Sequence, residues 1–193
     1  MAKLLLVRHA APAADPCVAP SQWPLSAVGR ASCAPLAEAL RPYLPAALYA
    51  SREAKAAETA ALVARALGVR FAPGAGLHEH ARATDDWLDS PAEFQARMET
   101  LYARPSAVVF GTESADAAHA RFAGAVAALR AEGPAGNLVL FTHGTVLTLL
   151  VARANPGLDP LAFWRTLGQP AIVVLDRDTL ALESVIEKVA ADA

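Results

Sequence analysis

The chain has 193 residues, of which 54% are hydrophobic and 19% charged, a balance that suits one domain with a single well-formed core and excludes a disordered polypeptide. No uninterrupted apolar run approaches a membrane span, and residues 4–7 are too short for a secretory signal despite Ala-Pro-Ala at 11–13, so a soluble cytoplasmic protein is expected. A formal charge of −2 offers no global attraction for nucleic acid or an anionic membrane, so any anion must be held locally.

Residues 4–7 are four consecutive aliphatics and read as a short buried strand, with Arg8-His9 where it would leave the sheet. Residues 11–24, rich in Pro and Ala, form a loop over that strand end. Ser26 is a good N-cap for a helix that Pro42 stops and that Pro35 kinks or divides. Cys17 and Cys33 lack Cys-x-x-Cys spacing and read as reduced thiols.

Residues 47–50 are a second short strand ending at Ser51, and the apolar spacing of residues 52–67 is helical up to Gly68. Lysine occurs only at positions 3, 55 and 188 against a prevailing use of arginine, so Lys55 stands out. It falls in the first turn of that helix, where the helix dipole disfavours a cation unless an anion is bound there. Residues 69–72 are a third strand candidate, and residues 73–90 are irregular and charged.

Ser90-Pro91-Ala92-Glu93 is a strong helix start, running to about residue 102. Residues 104–112 connect it to an Ala-rich helix over 114–131, closed by Gly133-Pro134. Residues 138–141 are the second strongly buried strand, ending in Thr142-His143-Gly144-Thr145, with a helix over 146–154. A short helix over 160–167 and a hairpin of strands 171–175 and 180–186 complete the chain. Strands alternating with helices imply an α/β protein whose mainly parallel sheet is covered on both faces.

Two buried strands, one near each end of the chain, thus finish in histidine, and a third ends beside Lys55. In this arrangement the chain resembles the histidine phosphatase superfamily, the phosphoglycerate mutase-like group. Arg8-His9-Ala10 corresponds to the family's Arg-His-Gly signature, and Thr142-His143-Gly144 to its later Ser-His-Gly type segment. Leu25-Ser26-x-x-Gly29 is similar to its Leu-Thr-x-x-Gly helix start, residues 51–60 to its Ser-Pro-x-x-Arg-Ala-x-x-Thr-Ala segment, and Leu77-His78-Glu79 to the stretch that provides its acid. There are two departures: Ala10 stands for glycine and Lys55 for the second arginine.

The resemblance implies a single domain over 1–193, a three-layer α/β/α sandwich with a small lid at about 82–112. It implies a phosphatase acting through phosphohistidine on His9, with Arg8, Lys55, His143 and Thr145 on the phosphate and Glu79 as general acid with a raised pKa. Asp85, Asp86 and Glu113 are the next candidates for the acid. No cofactor or metal is expected, because His78-Glu79-His80 lacks the spacing that puts two imidazoles on one helical face. The expected partner is a small phosphorylated molecule or a phosphohistidine protein. Mutase-type phosphoryl transfer is the alternative within the family, and a non-catalytic phospho-ligand module the alternative outside it. Arg52 and Arg82, close in sequence to these site residues, either contact substrate or are simply exposed, exposure being the better reading for each; His119 reads as a surface residue, whereas Trp87 and Phe94 either line a substrate wall or pack internally.

Overall fold

The computed structural model describes residues 1–82 and 90–189. Six strands form one sheet: β1 (Lys3–Arg8), β2 (Ala47–Ala50), β3 (Phe71–Pro73), β4 (Leu138–Thr142), β5 (Ala171–Asp176) and β6 (Leu182–Ile186), in the order β3-β2-β4-β1-β5-β6. The first four are mutually parallel, and the terminal hairpin β5-β6 adds two antiparallel strands beside β1. This is the expected three-layer α/β/α sandwich.

Alternate residues of the central strands feed two cores, as the period of two requires. Leu4, Leu6, Leu138 and Leu140 face one layer, made by α4 (Pro91–Ala103), α5 (Ala115–Glu132), α6 (Gly144–Ala154) and α7 (Pro160–Thr166). Leu5, Val7, Val139 and Phe141 face the other, made by α2 (Cys33–Leu40) and α3 (Ala54–Leu67). Register places Arg8 beside Thr142 and Ala50 beside Phe141, so β1, β2 and β4 end together. That shared edge carries the chemistry-bearing residues.

Local chemistry sets the boundaries. Ser26, Ser90 and Ser114 accept backbone N–H bonds from Gly29, Glu93 and Ala117 at 3.0, 3.1 and 3.2 Å, capping α1 (Ala27–Ala31), α4 and α5. The helix expected after Ser26 divides at Ser32, ahead of Pro35. A continuous helix would drive the proline ring against the carbonyl of Ala31, whereas a restart at Cys33 puts Pro35 in a first turn, where no N–H is needed. Strand β3 begins two residues later than its apolar pattern suggests, and α6 starts earlier, directly after His143. Strand β6 is also shorter at its start than expected: Leu180 has φ 61°, and Asp176 Oδ1 accepts the N–H groups of Asp178 and Thr179 in the turn. Among the described residues no helix is long and apolar enough to cross a membrane.

Candidate active site

The buried strand ends deliver Arg8, His9, Ser51 and His143 to one place. His9 is held by its own N–H, which donates to the Thr142 carbonyl at 3.0 Å, and by its ring, whose Nδ1 lies 2.8 Å from the Ala10 carbonyl oxygen. A carbonyl can only accept, so Nδ1 carries the proton and Nε2 is left with its lone pair. Burial first, then the positive surroundings of His143 and Lys55, push the His9 pKa well below its ordinary value. The ring is therefore neutral at neutral pH.

Ala10, where the resembling family has glycine, is buried and lies outside the left-handed region, so its Cβ causes no backbone strain. Its N–H donates to Thr59 Oγ1 at 3.1 Å, and that hydroxyl donates in turn to the Lys55 carbonyl at 2.7 Å. The first turn of α3 is tied in this way to the neighbour of His9.

Arg8 donates through Nη1 to the Leu167 carbonyl, while its buried Nε has no partner among the described residues. Gly144 makes room for the guanidinium: a Cβ there would lie 3.0 Å from both Cζ and Nε of Arg8. His143 is fully buried, with its ring edge-on to His9 at a centroid distance of 5.1 Å. Its Nε2 is 2.9 Å from Ser51 Oγ, and its buried Nδ1 has no partner among the described residues. Burial and then Lys55 depress its pKa well below the ordinary value.

Lys55 is buried and commits its ammonium to the protein: Nζ donates to Glu53 Oε2 at 2.5 Å and to the Pro20 carbonyl at 2.7 Å. Glu53 had no role in the sequence reading, yet it links three groups. Besides Lys55, it accepts the Glu79 N–H at 2.7 Å and approaches His143 Nε2 to 3.6 Å.

Glu79 faces the start of α6. Its Oε2 accepts the Thr145 N–H at 3.0 Å, and Oε1 accepts those of Val146 and His80 at 3.2 and 2.9 Å. A raised pKa was expected. The value is instead lowered, because burial, the largest influence and an upward one, is outweighed by His143, Arg82 and the N–H groups of Thr145 and His80. The free protein therefore presents a carboxylate.

The loop carrying Glu79 is braced by Arg121, whose guanidinium donates to the carbonyls of Gly76, His78 and Glu79 at 2.9, 2.8 and 3.0 Å. Glu113, the reserve candidate for the acid, pairs with Arg121 at 2.5 Å and accepts the Ala81 N–H, so it serves as a structural anchor. His80 donates Nε2–H to the Glu113 carbonyl at 2.7 Å and packs on Phe110. Asp85, Asp86 and Trp87 lie outside the described residues.

These groups open on a cavity of about 350 Å³ whose walls include Arg8, His9, Lys55, Glu79 and Thr145, with Trp23, Phe94 and Trp164 further round. His143 touches His9 without forming part of that wall. Arg82, expected to be exposed, is half-buried in the wall, and Phe94 is a wall residue that also packs against Trp164. Arg52 is exposed, and His119 lies half-buried beside Arg153. Cys17 and Cys33 are free, and burial raises the Cys33 thiol to about 11.

No curated protein sequence matches the chain. Among solved structures, a mycobacterial glucosyl-3-phosphoglycerate phosphatase with inorganic phosphate superposes with a TM-score of 0.74 at 23% identity, covering 100% of both chains. An Entamoeba histolytica phosphoserine phosphatase variant with phosphoserine gives 0.69 at 14% identity over 96% of each chain. A putative α-ribazole-5′-P phosphatase from Escherichia coli gives 0.70 at 21% identity, covering 100% of this chain and 98% of that one. At such identities these likenesses establish the fold, and the assignment comes from the family model, which matches residues 4–184. With that match and this fold, the chain belongs to the histidine phosphatase superfamily, branch 1.

Proposed function

We propose that the protein hydrolyses small phosphate monoesters through a phosphohistidine on His9. The observation that carries this is the Nδ1 contact to the Ala10 carbonyl, which leaves the lone pair of Nε2 on a ring that lines the cavity beside Arg8. In the first step Nε2 attacks phosphorus, the P–O ester bond breaks, and the departing oxygen takes a proton at Glu79. In the second, water attacks phosphorus, the P–N bond breaks, and the Glu79 carboxylate takes the water's proton.

Charge that gathers on the transferring oxygens meets the Arg8 guanidinium and the Lys55 ammonium on the cavity wall, and His143, buried against His9, would join them through Nδ1 once the ester is seated, provided that Ser51 directs its hydroxyl proton to Nε2. No step needs a metal or cofactor. The cavity volume fits a small ester, in keeping with the phosphatases of the same fold, one with inorganic phosphate and one with phosphoserine.

The test is phosphate release from a panel of alkyl, aryl and sugar phosphates, with His9→Ala as control and an alcohol acceptor added to half the samples. Release to water that His9→Ala abolishes supports hydrolysis. Transfer chiefly to the alcohol would indicate a mutase, and phosphate binding without turnover would indicate a binding module.

A further inference from the structure

The cavity holds less net positive charge than its residues suggest. Lys55 is paired with Glu53 at 2.5 Å, so the two together add nothing. His9 and His143 are neutral, since burial above all holds both pKa values well below the ordinary one. The charge of Arg8 is matched by the Glu79 carboxylate. These groups alone would receive a phosphate ester, itself carrying one to two negative charges near neutral pH, with no net charge of their own.

Arg82 changes that balance. It belongs to the wall of the main cavity and to that of a neighbouring one of about 300 Å³, and Glu79 also borders both. Its guanidinium lies over Phe94 and Phe110, with Cζ 5.4 and 5.6 Å from the ring centroids. Among the described residues no carboxylate forms an ion pair with it. A cation–π contact satisfies the charge in part and uses up none of the guanidinium's N–H donors, which stay available to an acceptor. Arg8, His9 and Glu79 share the main cavity wall with it, which places its charge near the proposed reacting centre.

We propose that Arg82 is a further catalytic residue, whose guanidinium binds oxygens of the transferring phosphoryl group and makes the site net positive. The inference rests on the phosphoryl-transfer reading above. It also accounts for a lysine at position 55: the planar fork that a lysine lacks is supplied from the other side of the cavity.

The experiment compares wild type, Arg82→Gln and Arg82→Lys on phenyl phosphate and 4-carboxyphenyl phosphate, with calorimetric titration of inorganic phosphate and thermal midpoints alongside. Arg82→Gln should lower kcat/KM by the same factor of about 100 on both esters, the scale for deleting one preorganised donor. Phosphate affinity should fall with it, Arg82→Lys should recover part of both, and the midpoint should stay put. A loss confined to the carboxylated ester would place Arg82 on the leaving group and overturn the proposal. Unchanged phosphate affinity, or a lowered midpoint with no rescue by lysine, would make it a structural residue and overturn it too. If wild type hydrolyses neither ester, the phosphatase reading fails by itself, and phosphate affinity still decides Arg82: dependence on the guanidinium upholds its role in binding phosphate, and independence rejects it.

Discussion

Glu79 is asked to do opposite things. Three backbone N–H groups and Arg82 favour its carboxylate, yet protonation of a leaving oxygen requires the acid. The incoming phosphate resolves this, because a dianion beside the carboxylate raises its pKa, and a monoanionic ester, which loses its last proton near pH ~6, can hand the proton over directly. Glu79→Gln keeps the shape and removes the transferable proton. It should slow hydrolysis of alkyl phosphates by about 10² to 10⁴ while sparing phosphoenzyme formation from nitrophenyl phosphate, whose leaving group departs unaided. Dephosphorylation should also slow, so stopped-flow absorbance should show a burst of nitrophenolate; equal slowing on both substrates without a burst would move the acid elsewhere. Arg8, His9, Lys55 and His143 could be singled out in the sequence because each stands at a strand end or helix start, and Glu79 because Leu77-His78-Glu79 resembles the stretch that provides the family's acid. Glu53 could not, and Arg82 stood out only as an arginine close to Glu79 in sequence, with exposure the better reading. Glu53 joins groups from three separate segments, and the proposed role of Arg82 depends on two phenylalanines from α4 and the connection after it, so neither leaves a local signal.

At the scale of elements, α6 is the piece that turns fold into site. It starts immediately after His143, offers the N–H groups of Thr145 and Val146 to Glu79, and begins with a glycine whose missing side chain is occupied by Arg8. Gly144 lies outside the left-handed region, so the requirement there is space and not backbone freedom. Gly144→Ala should therefore push the guanidinium from its place against the Leu167 carbonyl. We expect kcat/KM to fall roughly 10- to 100-fold from misplacement of a phosphate donor, with a stability loss of about 1–3 kcal/mol for overpacking, measured by steady-state kinetics and urea denaturation. Wild-type activity in Gly144→Ala would mean that Arg8 has no fixed station. The helix itself was legible from its apolar run, but its first turn was not, since His143 and Gly144 read equally well as loop. The break at Ser32 is a similar case: Pro35 announced a disturbance, and only the clash with the carbonyl of Ala31 puts it upstream of the proline.

The whole molecule bears the cost of burying two neutral histidines. Both have depressed pKa values in the folded state, so below the unfolded value of about 6.5 the unfolded chain binds protons that the folded one refuses. Stability must then fall as pH drops below about 6.5, by up to about 1.4 kcal/mol per pH unit for each histidine, until the folded-state pKa is reached. Glu79 adds to the loss only lower, as pH falls through the carboxylate range, because its stabilising ionisation is present above the unfolded value. Urea midpoints between pH 7 and 5 should decline more steeply for wild type than for His9→Asn; parallel curves would mean that His9 is not buried neutral. On the proposed mechanism a neutral His9 is what attacks phosphorus, and a covalent intermediate would follow from it. The decisive measurement is a rapid quench into alkali after mixing with phosphate-labelled substrate, followed by peptide mapping. Acid-labile, base-stable phosphate should be found on His9, in greater amount in Glu79→Gln, and should be absent from His9→Ala. Label that persists in His9→Ala, or phosphate release by wild type with no labelled His9 at any mixing time, would contradict nucleophilic catalysis by this residue.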